Sequence, residues 1–89
     1  MRVVRLSQPF QRARRVYAPH GSPENVALGR VLAQLGAEDA VLPGPKDEEA
    51  FRTPLHIIWA RPIPSTPLLL MYTFTPPVLD VLSIRRATW

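Results

Sequence analysis

The strongest constraint on the fold is a pair of apolar runs near the end of the chain. Residues 68–74 are LLLMYTF, residues 78–84 are VLDVLSI, and the step Thr75-Pro76-Pro77 separates them. The first run lacks polar alternation, which is typical of a strand buried on both faces. A proline-rich turn between two such runs predicts an antiparallel hairpin, and the rest of the chain must pack around it.

The start of the chain predicts a strand followed by a short helix. Residues 2–6, RVVRL, are rich in β-branched and apolar side chains, and Ser7 follows them as a candidate helix N-cap. The side chains with helical spacing on one face of this first helix are Phe10, Ala13, Val16 and Tyr17. The APHG sequence at residues 18–21 is expected to end the helix.

A second helix carries clearer signals than the first. Ser22 is placed to cap it, Pro23 occupies its first position, and Gly36 provides a stop at its end. Its apolar stripe consists of Leu28, Val31, Leu32 and Leu35. The two helices are joined by a few residues, which predicts a helical hairpin.

The middle of the chain is acidic and rich in proline. We predict that residues 37–54 are mainly loop, with a turn of helix near residues 48–51. Residues 55–60, LHIIWA, predict a strand in which His56 is half-buried, and residues 61–67 form a proline-rich connection. The resulting order is β-α-α-β-β-β, an α+β domain with a helical hairpin packed on a small, mainly antiparallel sheet.

Charge is divided unevenly along the sequence. Residues 38–49 hold five acids and one lysine, which gives −4, while the rest of the chain holds ten arginines against two acids, which gives +8. The total of +4 therefore combines a basic body with one acidic segment. A basic body indicates an acidic partner, either a nucleic acid or an acidic polypeptide.

Several classes of function are disfavoured by composition. The chain has no cysteine, which excludes disulfides, thiolate metal sites and cysteine nucleophiles. The apolar stretch in its first residues is too short for a signal peptide, and no run reaches the roughly 20 residues of a membrane span. We therefore expect a cytoplasmic protein that uses no cofactor and no metal.

Several motifs occur in the order of a known family. They are VLAQLG at residues 31–36, LPGPKD at residues 42–47, ARPIPSTPLLLMYTF at residues 60–74 and VLDVLSIRRATW at residues 78–89. Together with the order of elements, they resemble the RelE/ParE superfamily of bacterial type II toxins. The resemblance covers nearly all of residues 1–89 and implies a single toxin domain that is neutralised by a cognate acidic antitoxin protein.

The resemblance also implies candidate functional residues. Some members of the superfamily cleave messenger RNA on the ribosome. If this chain does the same, the resemblance implies that its catalytic residues are Arg61, Arg85, Arg86 and His56. If the chain instead acts by binding a target, the resemblance implies that the target-binding residues are Arg61, Arg85, Arg86 and Trp89. Trp89 takes the place of a terminal aromatic residue, and its indole can stack on a base but cannot act as a general acid.

Three functions follow, and the available chemistry ranks them. Because acid and base groups are scarce, with one lysine and two histidines, the favoured function is growth arrest by poisoning DNA gyrase, as in the ParE branch. The first alternative is a metal-independent, ribosome-dependent mRNA endonuclease of the RelE type. The second is a non-catalytic module whose exposed sheet edge binds a partner strand. The nuclease requires the three arginines to converge on one face beside His56.

Overall fold

A computed structural model describes residues 1–87 of the chain. It contains two helices packed on one face of a five-stranded sheet. In chain order the elements are β1 (Val3–Leu6), α1 (Gln8–Tyr17), α2 (Pro23–Gly36), β2 (Glu48–Arg52), β3 (Ile57–Pro62), β4 (Leu68–Thr75) and β5 (Val78–Arg86).

The sheet has the strand order β1-β5-β4-β3-β2. Strands β2 to β5 form an antiparallel meander, and β1 lies parallel to β5 with Val3 opposite Val78. The predicted α+β class is confirmed, including the apolar hairpin, which is β4 and β5. The observed order has one more strand than the sequence predicted.

The additional strand is β2, and the prediction for this region was wrong. The turn of helix expected near residues 48–51 is absent from the described chain, because Glu48–Arg52 pair antiparallel with β3. A bulge interrupts the pairing between Glu49 and Phe51. All residues of β2 are exposed at the edge of the sheet, where charged side chains are common, so its composition does not distinguish it from a loop.

The helices begin where the sequence predicts. The side-chain oxygens of Ser7 and Ser22 accept hydrogen bonds from the amides of Phe10 and Asn25, each at 3.1 Å. These bonds satisfy amides that have no partner inside the helix. In α2 the predicted stripe is confirmed, since Leu28, Val31 and Leu35 are buried and Leu32 packs against them.

The predicted inner face of α1 is wrong in its last turn. Val16 is 73% exposed and Tyr17 is also exposed, whereas Ala18, just beyond the helix, is buried. Arg14 lies on the inward side instead, with its guanidinium carbon 6.0 Å from the centre of the Phe10 ring. A long aliphatic stem can cover apolar surface while its charge reaches a polar partner, and here Nε donates to Asn25 Oδ1 at 3.2 Å.

The sheet has two different faces. The helix face carries the buried core residues, which on β4 are Leu68, Leu70 and Tyr72. Because side chains alternate along a strand, Leu69 and Met71 point to the opposite side, which we call the open face. No helix of the described chain belongs to a second layer on the open face.

The end of α2 is held by a residue from the start of the chain. Arg2 donates hydrogen bonds to the carbonyl oxygens of Leu35, Ala37 and Ala40 at 2.6–2.9 Å. Its guanidinium carbon also lies 4.7 Å from the centre of the Phe74 ring. A cation at this position satisfies carbonyls that have no helical partner and complements the negative end of the helix dipole.

Candidate functional site

The predicted site residue Arg61 lies on the helix face of β3, where it is already paired with an acid. Its Nε donates to Asp47 Oδ1 at 2.6 Å, and its Nη2 donates to Asp47 Oδ2 at 2.9 Å. The Asp47 side chain is fully buried, and that of Arg61 is 14% exposed. This two-point pairing is the strongest geometry available to an arginine and a carboxylate.

Two further groups complete this cluster. The buried Tyr72 hydroxyl on β4 donates a short hydrogen bond to Asp47 Oδ2. The Gly44 amide donates to the same oxygen at 2.7 Å. We call Gly44, Asp47, Arg61 and Tyr72 the buried polar cluster. It joins the loop that precedes β2 to the centre of the sheet.

Hydrogen bonding controls the protonation of the cluster. Burial by itself raises the pKa of the Asp47 carboxyl, but the hydrogen bonds from Arg61, Tyr72 and Gly44 outweigh it, so the pKa lies below its usual value. Burial, together with the hydrogen bond to the Asp47 carboxylate, raises the pKa of the Tyr72 hydroxyl. Asp47 is therefore ionised and Tyr72 neutral at pH 7, which matches the donor and acceptor roles observed.

The buried polar cluster is closed to a phosphate ligand. The Asp47 carboxylate occupies the fork of Arg61 donors that a phosphate would need. Across the part of the chain that the structure describes, every buried side-chain nitrogen or oxygen has a hydrogen-bond partner. Arg61 therefore serves to position the loop, and it does not present its charge to a target in this conformation.

Arg85 and Arg86 lie at the end of β5, and both are exposed. Arg85 is opposite Leu69 and Arg86 is opposite Leu68. As neighbours on a strand they point to opposite faces, so Arg85 lies on the open face and Arg86 lies on the face that carries Arg61. Within residues 1–87, neither forms an ion pair.

His56 lies far from these arginines. It is exposed in the turn between β2 and β3, so the predicted half-buried strand position is wrong. The backbone of Thr53 closes this turn by donating to the His56 carbonyl at 2.8 Å. Arg85 and Pro62 are both opposite Leu69 of β4, so Arg85 is level with the end of β3 that is farther from His56. The five steps from Ile57 to Pro62 separate the two ends by about 17 Å.

The structure therefore does not bring the four candidate catalytic residues together. Arg61 is buried with Asp47, Arg85 and Arg86 point to opposite faces, and His56 is at the other end of the sheet. Trp89, the remaining candidate for target binding, lies outside the described residues. In the described chain, no group of three potential ligands is placed to hold a metal ion.

Arg85 instead borders an apolar depression on the open face. We call this the open-face depression, and its volume is about 290 Å³. It is lined by Ala50, Phe51, Ile58, Met71, Leu82, Ser83 and Arg85. Phe51 is 60% exposed although it is a large aromatic residue. The sequence does not point to Phe51, because its composition gives no signal for a strand at residues 48–52.

The bulge in β5 shapes this depression. Met71 pairs with Ser83 and Tyr72 pairs with Val81, so Leu82 is an extra residue between two normal pairs. Such a bulge changes the direction of side chains locally. Leu82 consequently lines the depression together with Ser83, its neighbour in the chain.

Comparisons with known proteins add no relative to these observations. No protein-family model matches the sequence, and the searches of curated proteins and of solved structures found no match. Neither described helix has the length and hydrophobicity of a membrane-spanning segment.

Proposed function

We propose that this chain is the toxin of a cytoplasmic type II toxin–antitoxin pair, and that it arrests growth by binding DNA gyrase. The proposal starts from the resemblance of its sequence to the RelE/ParE superfamily. The α+β architecture, with a helical hairpin on a mainly antiparallel sheet, is compatible with that resemblance. The acidic partner expected from the net charge of +4 is the antitoxin.

The observation that carries the choice of a binding mechanism is the open-face depression beside Arg85. An exposed aromatic ring, an arginine and a floor of aliphatic side chains form the combination that dominates the energetics of many protein interfaces. Phe51 and Arg85 provide the first two, and Met71 and Ile58 contribute to the floor. A gyrase-binding toxin requires such a surface and no acid or base.

The separation of the candidate catalytic residues weakens the nuclease alternative. Cleavage of RNA without a metal requires a base for the ribose 2′-hydroxyl, positive charge at the phosphate and an acid for the leaving oxygen. His56 and Arg85 lie beyond or level with opposite ends of β3, and these ends are about 17 Å apart. Arg61 is paired with Asp47 at 2.6 Å. The four candidate catalytic residues therefore do not converge on one phosphate in the described chain.

Induced expression in a bacterial host tests the proposal. Incorporation of labelled thymidine and leucine should be followed separately during the first minutes after induction. We expect thymidine incorporation to fall first, because poisoned gyrase blocks replication. An earlier fall in leucine incorporation would favour the ribosome-dependent nuclease. Continued growth with confirmed soluble protein would contradict both and favour the non-catalytic interaction module.

Substitutions on the open face test whether growth arrest depends on this surface. Phe51→Ala and Arg85→Ala should each relieve growth arrest and reduce DNA cleavage by purified gyrase in the presence of the protein. Arg30→Ala is a matched control, because Arg30 is an exposed arginine on α2, away from the open face. If all three variants remain equally toxic, the open-face depression does not contact the target.

A further inference from the structure

The two edges of the sheet are built differently. The β2 edge carries Glu48, Glu49 and Arg52, and a bulge interrupts its pairing. Charged side chains and bulges are features that prevent the edge of a sheet from pairing with another strand. The β1 edge is VVRL without a bulge, and Val3, Val4 and Leu6 are 40–42% exposed. One edge is thus protected against pairing and the other is not.

The backbone of β1 has hydrogen-bonding groups directed away from the sheet. Val3 N–H donates to the Pro77 carbonyl at 2.8 Å, and Ser7 N–H donates to the Val81 carbonyl at 3.1 Å. Because these groups alternate along a strand, Val4 and Leu6 direct their amide and carbonyl groups to the free side. The Leu6 carbonyl accepts a long bond of 3.4 Å from Gln11 Nε2, which a backbone amide would replace favourably.

We propose that β1 pairs antiparallel with β1 of a second copy of this chain, with Val4 on the two-fold axis. Val4 then exchanges backbone hydrogen bonds with Val4 of the second copy. Leu6 exchanges them with Arg2 of the second copy, because the alternation along the backbone extends the outward orientation to Arg2. The two sheets join into one continuous sheet across the dimer. The inference does not depend on the proposed toxin function.

The charges along β1 favour this register over one centred on Arg5. With Val4 on the axis, Arg5 is opposite Val3 of the second copy, and Arg2 is opposite Leu6. An axis through Arg5 would place two arginines directly opposite each other, which is unfavourable. The ion pair between Arg5 Nε and Asp80 Oδ1, at 2.8 Å, further reduces the charge that one copy presents to the other.

The protected β2 edge limits the assembly to two copies. Pairing of β1 with β2 of another copy would leave complementary edges at both ends and would continue into a fibre. Pairing of β1 with β1 is isologous and leaves only the two β2 edges at the ends of the joined sheet. The charges and the bulge of β2 oppose further addition.

Sedimentation equilibrium tests the dimer directly. Each copy contributes a strand of four residues, so the interface is smaller than that of a typical stable dimer, and dissociation on dilution is expected. We expect the wild-type mass to rise from one copy towards two copies between about 1 µM and about 1 mM protein. A mass of one copy throughout this range would overturn the proposal.

Val4→Pro and Val4→Ala form a matched pair of variants. Both replace the branched valine side chain, but only proline removes the outward N–H, and proline is tolerated where that group does not serve the sheet itself. We expect Val4→Ala to dimerise and Val4→Pro to remain a monomer with an unchanged circular dichroism spectrum. A folded Val4→Pro dimer would contradict the proposed pairing.

Amide hydrogen exchange on the wild-type protein provides a test that needs no variant. The Val4 and Leu6 amides should exchange more slowly as the protein concentration rises, because the second copy protects them. The Val3 amide already has a partner in the same chain and should show the smaller change. Equal exchange of Val4 and Leu6 at low and high concentration would contradict pairing through β1.

Discussion

Arg61 and Arg85 show how one step along a strand changes the role of a side chain. Arg61 is opposite Leu70 and Arg85 is opposite Leu69, so both are paired with neighbouring residues of β4. Arg61 points to the helix face and is held by Asp47, whereas Arg85 points to the open face and is exposed. Two arginines that were equivalent candidates in the sequence therefore divide into a structural residue and a surface residue.

The difference follows from the environment of each charge. A buried guanidinium requires a partner and a full set of hydrogen bonds, and the loop before β2 provides both through Asp47. An exposed guanidinium is solvated by water and needs no fixed partner. The helix face therefore uses charge to fix the loop, while the open face leaves charge available to another molecule.

Among the substitutions that test the difference between Arg61 and Arg85, Asp47→Ala should have the largest effect on stability. It leaves Arg61 and Tyr72 without their shared acceptor inside the protein, which should lower the free energy of unfolding by about 3–5 kcal/mol. Urea unfolding followed by circular dichroism measures this change. Asp80→Ala breaks an exposed arginine–aspartate pair and should have a far smaller effect. Similar losses in the two variants would show that the buried polar cluster has no special role.

Low pH should destabilise the protein by protonating Asp47 in the buried polar cluster. The pKa of Asp47 is lower in the folded protein than in the unfolded chain, so its contribution to stability is complete above the unfolded value, near pH 4, and is lost as pH falls through the folded value. The fall in unfolding free energy between about pH 5 and pH 2 should therefore be smaller in Asp47→Asn than in the wild type. An unchanged pH profile in Asp47→Asn would contradict this role.

Two glycine substitutions sharpen the comparison further. A Cβ on Gly44 would lie 2.5 Å from Arg61 Nη2, so Gly44→Ala must displace the arginine and should cost about 1–3 kcal/mol of stability. A Cβ on Gly29 meets no atom within 4 Å, and this residue lies inside α2. Gly29→Ala should therefore stabilise the protein by about 0.5–1 kcal/mol. In thermal unfolding, the Tm should fall in Gly44→Ala and rise in Gly29→Ala.

The smallest effect on stability is expected for Arg85→Ala. Since the Arg85 side chain is exposed and has no ion pair within residues 1–87, the change in unfolding free energy should stay within about 0.5 kcal/mol. The same variant is expected to lose target binding, so stability and function should separate at this position. A large loss of stability in urea unfolding would show that Arg85, like Arg61, contributes to holding the fold together.

The elements that were predicted correctly are those with local signals. Ser7 and Ser22 act through bonds to residues three positions away, and the stripe of α2 repeats within the helix itself. The apolar hairpin is likewise contained in one short segment. Strand β2 has no comparable signal, because only its pairing with β3 distinguishes it from an acidic loop.

The candidate site was harder to predict because its contacts are distant in sequence. Asp47 lies 14 residues from Arg61 and 25 residues from Tyr72, and the intervening prolines give no indication of the pairing. The sequence predicted a catalytic or target-binding role for Arg61, whereas the structure pairs its side chain with Asp47. The open-face depression depends on a bulge in each of β2 and β5, which composition does not reveal.

The parallel pairing of β1 with β5 also determines when the chain can fold. Arg5 and Asp80 are 75 residues apart, so the first strand has no partner in the sheet until β5 has been synthesised. The apolar stripe of α2 is equally uncovered until β4 and β5 exist to receive it. The sheet is therefore completed only after β5 has been synthesised, and the many distant contacts make folding slower than in a helical protein of this length.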